Sequence, residues 1–493
     1  MRGRLFETDF LTKDGNSQAE FLRLITRAAE IVCESLPKTA YAGKSPAELR
    51  KLISPELLPA TAQSWDAIAE TLRTVVANSV FVGHPNTIAH LHCPPLLPAL
   101  AAEVVISALN QSMDSFDQAP IATIVEQEMV RWLCREAGFP ETADGTFTTG
   151  GSHSNYMGLL LARDACVNKY WNWSVQKSGL PPKARLARIF CSEVAHFTVE
   201  KSAAQLGLGT EAVVRIEGDE HFRMRPSVLR ESLYKAVENG LRPMAVVATA
   251  GTTDFGSVDP LKEIAEIAHE WGAWLHVDAA YGGALLFSPQ HRDKISGIEL
   301  ADSITIDLHK LFWQPIPCSG FLLRDARYFE AIKLHADYLN PESHEEEGIP
   351  NLVTTSTITS RRFDALKLWI SFQALGREKL GAMIDRTIEL AAHAAGVVSR
   401  TPHFELVCTP QLSTVIFRYV PEGMRDANAL NARLKQSLFN DGTAVVGHTR
   451  VRDKQCLKFT CMSPATSFGQ IEELIGKIAT RGKELEVGDI NRP

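Results

Sequence analysis

Between about residues 145 and 325, short apolar runs alternate with stretches of helical periodicity. The runs predict strands at Arg188–Cys191, Ala212–Ile216, Met244–Ala250, Trp274–Ala279, Ser303–Ile306 and Gly320–Leu323, with a helix over Leu261–Trp271 between two of them. Strands that alternate with helices predict an α/β fold, a large and mostly parallel sheet covered on both faces. Residues 1–110 read as mostly helical, with proline breaks at Ser54-Pro55 and Cys93-Pro94-Pro95. Beyond residue 375 the period turns helical again. Leu380, Met383, Ile384 and Ile388 form one apolar stripe, and Ile471, Leu474, Ile475 and Ile478 form another. Strand patterns at Ser413–Tyr419 and Cys456–Cys461 lie between the stripes and suggest a small α/β domain. The expected division is 1–110, 111–375 and 376–493, with the residues from Leu485 onward read as a tail.

Composition narrows the class. The 51 basic and 58 acidic residues leave a net charge of −7, which argues against a nucleic-acid footprint or an anionic-membrane surface. The start, Met1 to Phe10, carries acids and no apolar signal stretch, and no apolar run is long enough to span a bilayer. Nine cysteines with irregular spacing and no Cys-x-x-Cys pair fit free thiols in a reducing compartment, so the cytoplasm is the expected location. His90-Leu-His92-Cys93 has no matching second pair of ligands, and no metal is expected there.

The candidate chemistry sits at strand ends. The run Ser303-Ile-Thr-Ile-Asp-Leu-His-Lys310 carries a lysine to the C-terminal edge of a strand, where open α/β sheets bind ligands. Thirty-two positions upstream, Trp274-Leu-His-Val-Asp278 brings an aspartate to the same kind of edge. A lysine amine can form a Schiff base with the aldehyde of pyridoxal phosphate, and an aspartate can keep the pyridinium nitrogen protonated. Either residue alone also fits a solvated loop lysine or a helix-capping aspartate. Gly150-Gly151-Ser152-His153 precedes a helix over Tyr156–Asp164, so its amides can face a phosphate, although the glycines also fit a plain turn. His196 follows a strand and could stack on a flat ring or be an ordinary satisfied histidine. Ala248-Thr-Ala-Gly-Thr-Thr253 ends another strand with hydroxyls.

With these motifs in order, the chain resembles the group II pyridoxal-phosphate-dependent amino acid decarboxylases, over roughly residues 75–465. The motifs are Thr-Thr-Gly-Gly-Ser at 148–152, His196, Ala-Thr-Ala-Gly-Thr-Thr at 248–253, His-Val-Asp-Ala-Ala-Tyr at 276–281 and His-Lys at 309–310. The resemblance implies the fold-type I architecture of aspartate aminotransferase. It implies that Lys310 carries the cofactor, Asp278 holds the pyridinium, Ala280 packs beneath the ring and His196 stacks above it. Gly151, Ser152, His153 and His309 would hold the phosphate, and Thr253 would lie near the ring edge. It also implies a homodimer with active sites at the interface, and a dimerisation role for the N-terminal segment.

Ala89-His-Leu-His-Cys-Pro94, Asn110-Gln-Ser-Met-Asp-Ser-Phe-Asp-Gln118 and Phe312-Trp-Gln-Pro-Ile-Pro-Cys-Ser319 further resemble bacterial L-2,4-diaminobutyrate decarboxylases and the lysine decarboxylases of siderophore pathways. Loss of CO2 from a diamino acid is the implied reaction, with lysine or ornithine as alternative substrates and oxidative deamination to an aldehyde as an alternative outcome. A silent homologue acting as a binding protein is a rival of another class. Asp114 and Asp117 are candidates to face the distal ammonium, and each also fits a cap or a solvated position. His92 is a further substrate candidate, and Lys458 stands where some glutamate-specific relatives carry an arginine. The loop tyrosine of many relatives falls nine residues before Arg361, which here is Leu352, so His344 and His196 are the candidate acids.

Overall fold

The structure, a computed structural model, describes residues 9–490. Expectations for the first eight and last three residues lie outside the described range.

Seven strands form the large sheet: β1 (Asp144–Thr148), β2 (Ala187–Ser192), β3 (Val213–Ile216), β4 (Arg242–Thr249), β5 (Trp274–Asp278), β6 (Ser303–Asp307) and β7 (Ser319–Leu323). Their order is β1-β7-β6-β5-β4-β2-β3. All neighbours are parallel except β7, which runs antiparallel to both β1 and β6. All six predicted strands form. β1 was not predicted, because Asp-Gly-Thr-Phe-Thr has no apolar run. Its pairing with β7 and four buried residues make it a strand.

Both faces of the sheet are covered, as a parallel sheet requires. Val246, Ala248, Leu275, Val277, Ile304 and Ile306 face one core with the helices Pro120–Glu136 and Leu261–Glu270. Ala245, Val247, Ile189, Cys191 and Phe321 face the other with the helix Gly151–Trp171. That helix is longer at both ends than the periodicity of Tyr156–Asp164 suggested.

The second sheet holds β8 (Phe404–Leu406), β9 (Thr414–Tyr419), β10 (Gly447–Val451) and β11 (Lys454–Thr460), antiparallel throughout in the order β10-β11-β9-β8. Ile471, Leu474, Ile475 and Ile478 are all buried against it. The same stripe continues to Leu485, so the expected tail is instead the last turns of the helix Phe468–Ile490. The helix Ala365–Arg400 carries the other stripe and breaks at Gly376, whose φ of 69° is left-handed. Among the described residues no helix is long and apolar enough to cross a membrane.

Register sets the working edge. Thr148 lies opposite Ser319, which lies opposite Asp307, and Thr305 is paired with Asp278, which is paired with Thr249. The Lys310 turn is then fixed from outside. Trp313 is buried with φ 55°, and its indole donates to the Met462 carbonyl at 2.7 Å.

Candidate active site

Asp278 ends β5 almost fully buried, at 6% exposure, and each of its oxygens accepts one hydrogen bond. Asn155 donates to its Oδ2 at 2.8 Å, and the Ala280 amide donates to Oδ1 at 3.1 Å. The other Asn155 hydrogen goes to Thr198 Oγ1 at 3.0 Å. Behind Asn155 lies His276, two residues before Asp278 on the same face of β5. Its Nε2 donates to Asn155 Oδ1 at 3.0 Å, while Nδ1 accepts from Ser303 Oγ at 2.8 Å. Burial holds this imidazole neutral by pushing its pKa from 6.5 down to about 4. A neutral His276 with one hydrogen fixes the Asn155 amide, which in turn aims the Asp278 carboxylate.

His196 joins this network through Thr198, whose hydroxyl lies 2.9 Å from Nδ1. The Thr198 amide also donates to Nδ1, so the imidazole hydrogen sits on Nε2. Burial lowers its pKa, with Asp278 acting in the opposite direction.

Lys310 Nζ lies 2.8 Å from Asp307 Oδ2, and Ser319 donates to Asp307 Oδ1 at 2.6 Å. Burial opposes charge on Asp307, but the Lys310 ammonium and His309 prevail and hold its carboxyl below the usual range. His309 Nδ1 lies 2.8 Å from the Cys318 carbonyl, to which it donates, and the Cys93 thiol donates to the His309 carbonyl. His92 is close enough for His309 to add to the burial that lowers its pKa.

The helix Gly151–Trp171 starts at this edge with no side-chain cap. A Cβ on Gly151 would come within 3.0 Å of Asp307 Oδ2 and 3.3 Å of Ala280 Cβ, so a side chain there would press on the Asp307 carboxylate. An uncapped helix N-terminus, a nearby amine and a buried, oriented carboxylate match the three ends of pyridoxal phosphate. Ser152 is exposed at that terminus. His153 turns away to Thr357 Oγ1 at 2.8 Å, and its Nδ1 is buried without a partner.

The remaining candidates lie further out. Lys458 Nζ pairs with Asp254 Oδ1 at 2.8 Å and donates to the Thr253 carbonyl at 3.2 Å. Asp117 is exposed and accepts from Ser115. Asp114 is buried, with Ser360 at 3.5 Å from Oδ2. Its Oδ1, with Gln111 Oε1 and Ser112 Oγ, is buried without a hydrogen-bond partner among the described residues. Leu352 packs in the main core, Tyr338 is 90% exposed, and His344 sits on a short helix beside Asn351. Of the two candidate acids, His196 is the one joined to the Asp278 network.

The sequence reading gave no role to Asn155, His276, Thr198 or Asp307. Two left a signal, since His276 shares a strand face with Asp278 and Asp307 stands one turn before Lys310. The contacts of Asn155 and Thr198 needed the fold.

A doubly covered, mostly parallel sheet with this edge defines a pyridoxal-phosphate enzyme of the α/β class. The chain matches the pyridoxal-dependent decarboxylase conserved domain over residues 46–420 and belongs to that family. It is a pyridoxal-phosphate-dependent amino acid decarboxylase. The chain is 39% identical to an L-2,4-diaminobutyrate decarboxylase of Acinetobacter baumannii, over 97% of this chain and 95% of that one. Identity is 40% to the enzyme of that name from Rhizobium meliloti (strain 1021), over 97% and 94%. A crystal structure of the glutamate decarboxylase domain of a Vibrio parahaemolyticus diaminobutyrate-pyruvate transaminase and L-2,4-diaminobutyrate decarboxylase superposes with a TM-score of 0.90. It is 39% identical, over 98% of this chain and all of that one.

Proposed function

We propose that this decarboxylase converts L-2,4-diaminobutyrate to 1,3-diaminopropane and CO2. The carrying observation is the 39–40% identity, over 97% of the chain, to two enzymes named for that substrate. The orphaned acceptors of the 111–114 loop support it, because an alkylammonium brings three donors and one positive charge. On this reading Asp114 faces the distal ammonium, with Asp117 in reserve at the rim. His92 and Lys458 border the substrate from the Lys310 and Thr253 sides.

When bound, pyridoxal phosphate supplies the electron sink for the pair left by the departing carboxylate. The chain's own residues do the rest. Lys310 anchors the cofactor and yields to the incoming amine. Asn155 and the Ala280 amide hold the Asp278 carboxylate in place, one on each oxygen, where it would face the pyridine nitrogen. His196 presents a neutral ring to stack, and its Nε2, opposite the nitrogen held by Thr198, is the candidate point for relaying a proton to the product carbon once the imidazole has taken one up. Gly151, Ser152 and His309 would hold the phosphate end, whereas His153, turned to Thr357, is left out of that set. Ala280 supports the ring from below, and Thr253 borders its edge.

We further propose a cytoplasmic homodimer divided at residues 110 and 375. Nine free thiols support the compartment. Leu57, Leu58 and Leu97, at 82%, 88% and 78% exposure, support a second chain against the N-terminal segment.

The test is a product assay by mass spectrometry on a mixture of diaminobutyrate, ornithine, lysine, glutamate and an aromatic amino acid. Dominant 1,3-diaminopropane is the expected result. Putrescine or cadaverine would move the substrate to ornithine or lysine, and consumption of glutamate or the aromatic acid alone would sink the ammonium pocket. Ammonia and peroxide formed during turnover would mark the aldehyde outcome.

A further inference from the structure

We infer that Asp307 is the parking counter-ion of Lys310: it holds the amine docked as an ammonium whenever the lysine is not bonded to the cofactor. This positioning role rests on Lys310 being the cofactor lysine and is independent of which amino acid is decarboxylated.

The geometry is specific. The two groups are one turn apart on a fixed segment, with Nζ 2.8 Å from Oδ2. The carboxylate is 5% exposed and oriented by Ser319 at 2.6 Å, so its charge is poorly screened. From its own turn come Lys310 and His309, whose Nε2 is 3.8 Å from Oδ2. From β7 comes the neutral Ser319 hydroxyl, and from the helix at Gly151 only backbone. The residues after β5 contribute the Ala280 carbonyl, which accepts from the Asp307 amide. His196 lies within electrostatic reach and is held neutral by burial. Lys310 is thus the nearest cation and the one in contact.

The consequence is chemical. An amine attacks a carbonyl only after losing its proton, so a carboxylate that stabilises the ammonium delays attack and keeps the lysine out of the reacting space. Release from Asp307 is then part of each capture of cofactor.

The experiment compares cofactor-free wild type with Asp307→Asn. Each is mixed with saturating pyridoxal phosphate across a pH series, and the visible band of the lysine-bound cofactor is followed in time. The variant is expected to capture the cofactor faster than wild type, roughly tenfold near neutrality, because its amine is no longer held by a charged partner. In the same cofactor-free proteins, acylation of Lys310 by an amine-directed reagent, read by peptide mass spectrometry, is expected to quicken in Asp307→Asn. Asp307→Glu restores the charge and returns the profile towards wild type. Superimposable capture profiles and equal acylation in wild type and Asp307→Asn overturn the proposal. A visible band that survives Lys310→Ala is a different failure, that of the lysine assignment itself.

Discussion

The sheet edge around Asp278 and the loop around Asp114 each hold a buried carboxylate, yet they are built in opposite ways. At the edge, donor and acceptor run in sequence from Ser303 through His276 and Asn155 to Asp278. In the loop, the three polar side chains of residues 111–114, Gln111, Ser112 and Asp114, each leave a buried oxygen without a partner among the described residues. Orphaned buried acceptors are costly, so they belong where something else completes them. The network on Asp278 is therefore closed by the chain's own side chains, whereas the loop leaves acceptors for a ligand or a second chain to complete.

Breaking the edge at its centre has the largest effect. Lys310→Ala is expected to lose the visible cofactor band and at least about a thousandfold in turnover, checked by absorbance and a diamine assay. Full activity in that variant would remove Lys310 from the site.

The supporting network titrates. The folded His276 pKa of about 4 lies below the ordinary 6.5, so its share of stability is complete above about pH 6.5 and is lost as pH falls towards 4. That share reaches about 3 kcal/mol over this interval. Denaturant midpoints measured from pH 7 to 4 are expected to fall more steeply in wild type than in His276→Gln. Equal slopes would show that the imidazole already titrates freely.

Asn155→Ala removes a hydrogen bond to a charged group, worth about 1.5–3 kcal/mol, or roughly ten- to hundredfold in kcat/KM. Cofactor affinity is expected to fall with it, because Asp278 loses its aim, and an unchanged affinity would reduce Asn155 to a structural role.

In the loop, Asp114→Asn sharpens the contrast with the smallest change. It is expected to lower the preference for diamino over neutral amino acids about tenfold while leaving cofactor uptake untouched. An unchanged ratio of kcat/KM values would take Asp114 out of substrate recognition.

The chain announces much of the large sheet. Six strands and the ends that carry Asp278 and Lys310 follow from apolar runs, because a strand buried on both faces must be apolar along its length. β1 was invisible for the converse reason, since Asp144–Thr148 is a strand by pairing rather than by content. The same holds for β10, whose buried Gly447, Thr449 and Val451 alternate with exposed His448 and Arg450 in too short a run.

By itself, then, the sequence determined the covered α/β sheet, the lysine and aspartate at its edge, the glycine turn before the long helix, and the apolar stripes of the small domain. All of these are set by local period or by residue type at a strand end. Only the tertiary structure decided that Asn155 and His276 aim Asp278, that Asp307 holds Lys310, that Lys458 is paired with Asp254, and that the final helix runs past Leu485. The Asn155, Lys458 and Leu485 contacts join side chains distant in sequence or packed against another element, which no pattern along one chain records; His276 and Asp307 stand in that pattern as neighbours of Asp278 and Lys310, but what they touch was decided by the fold.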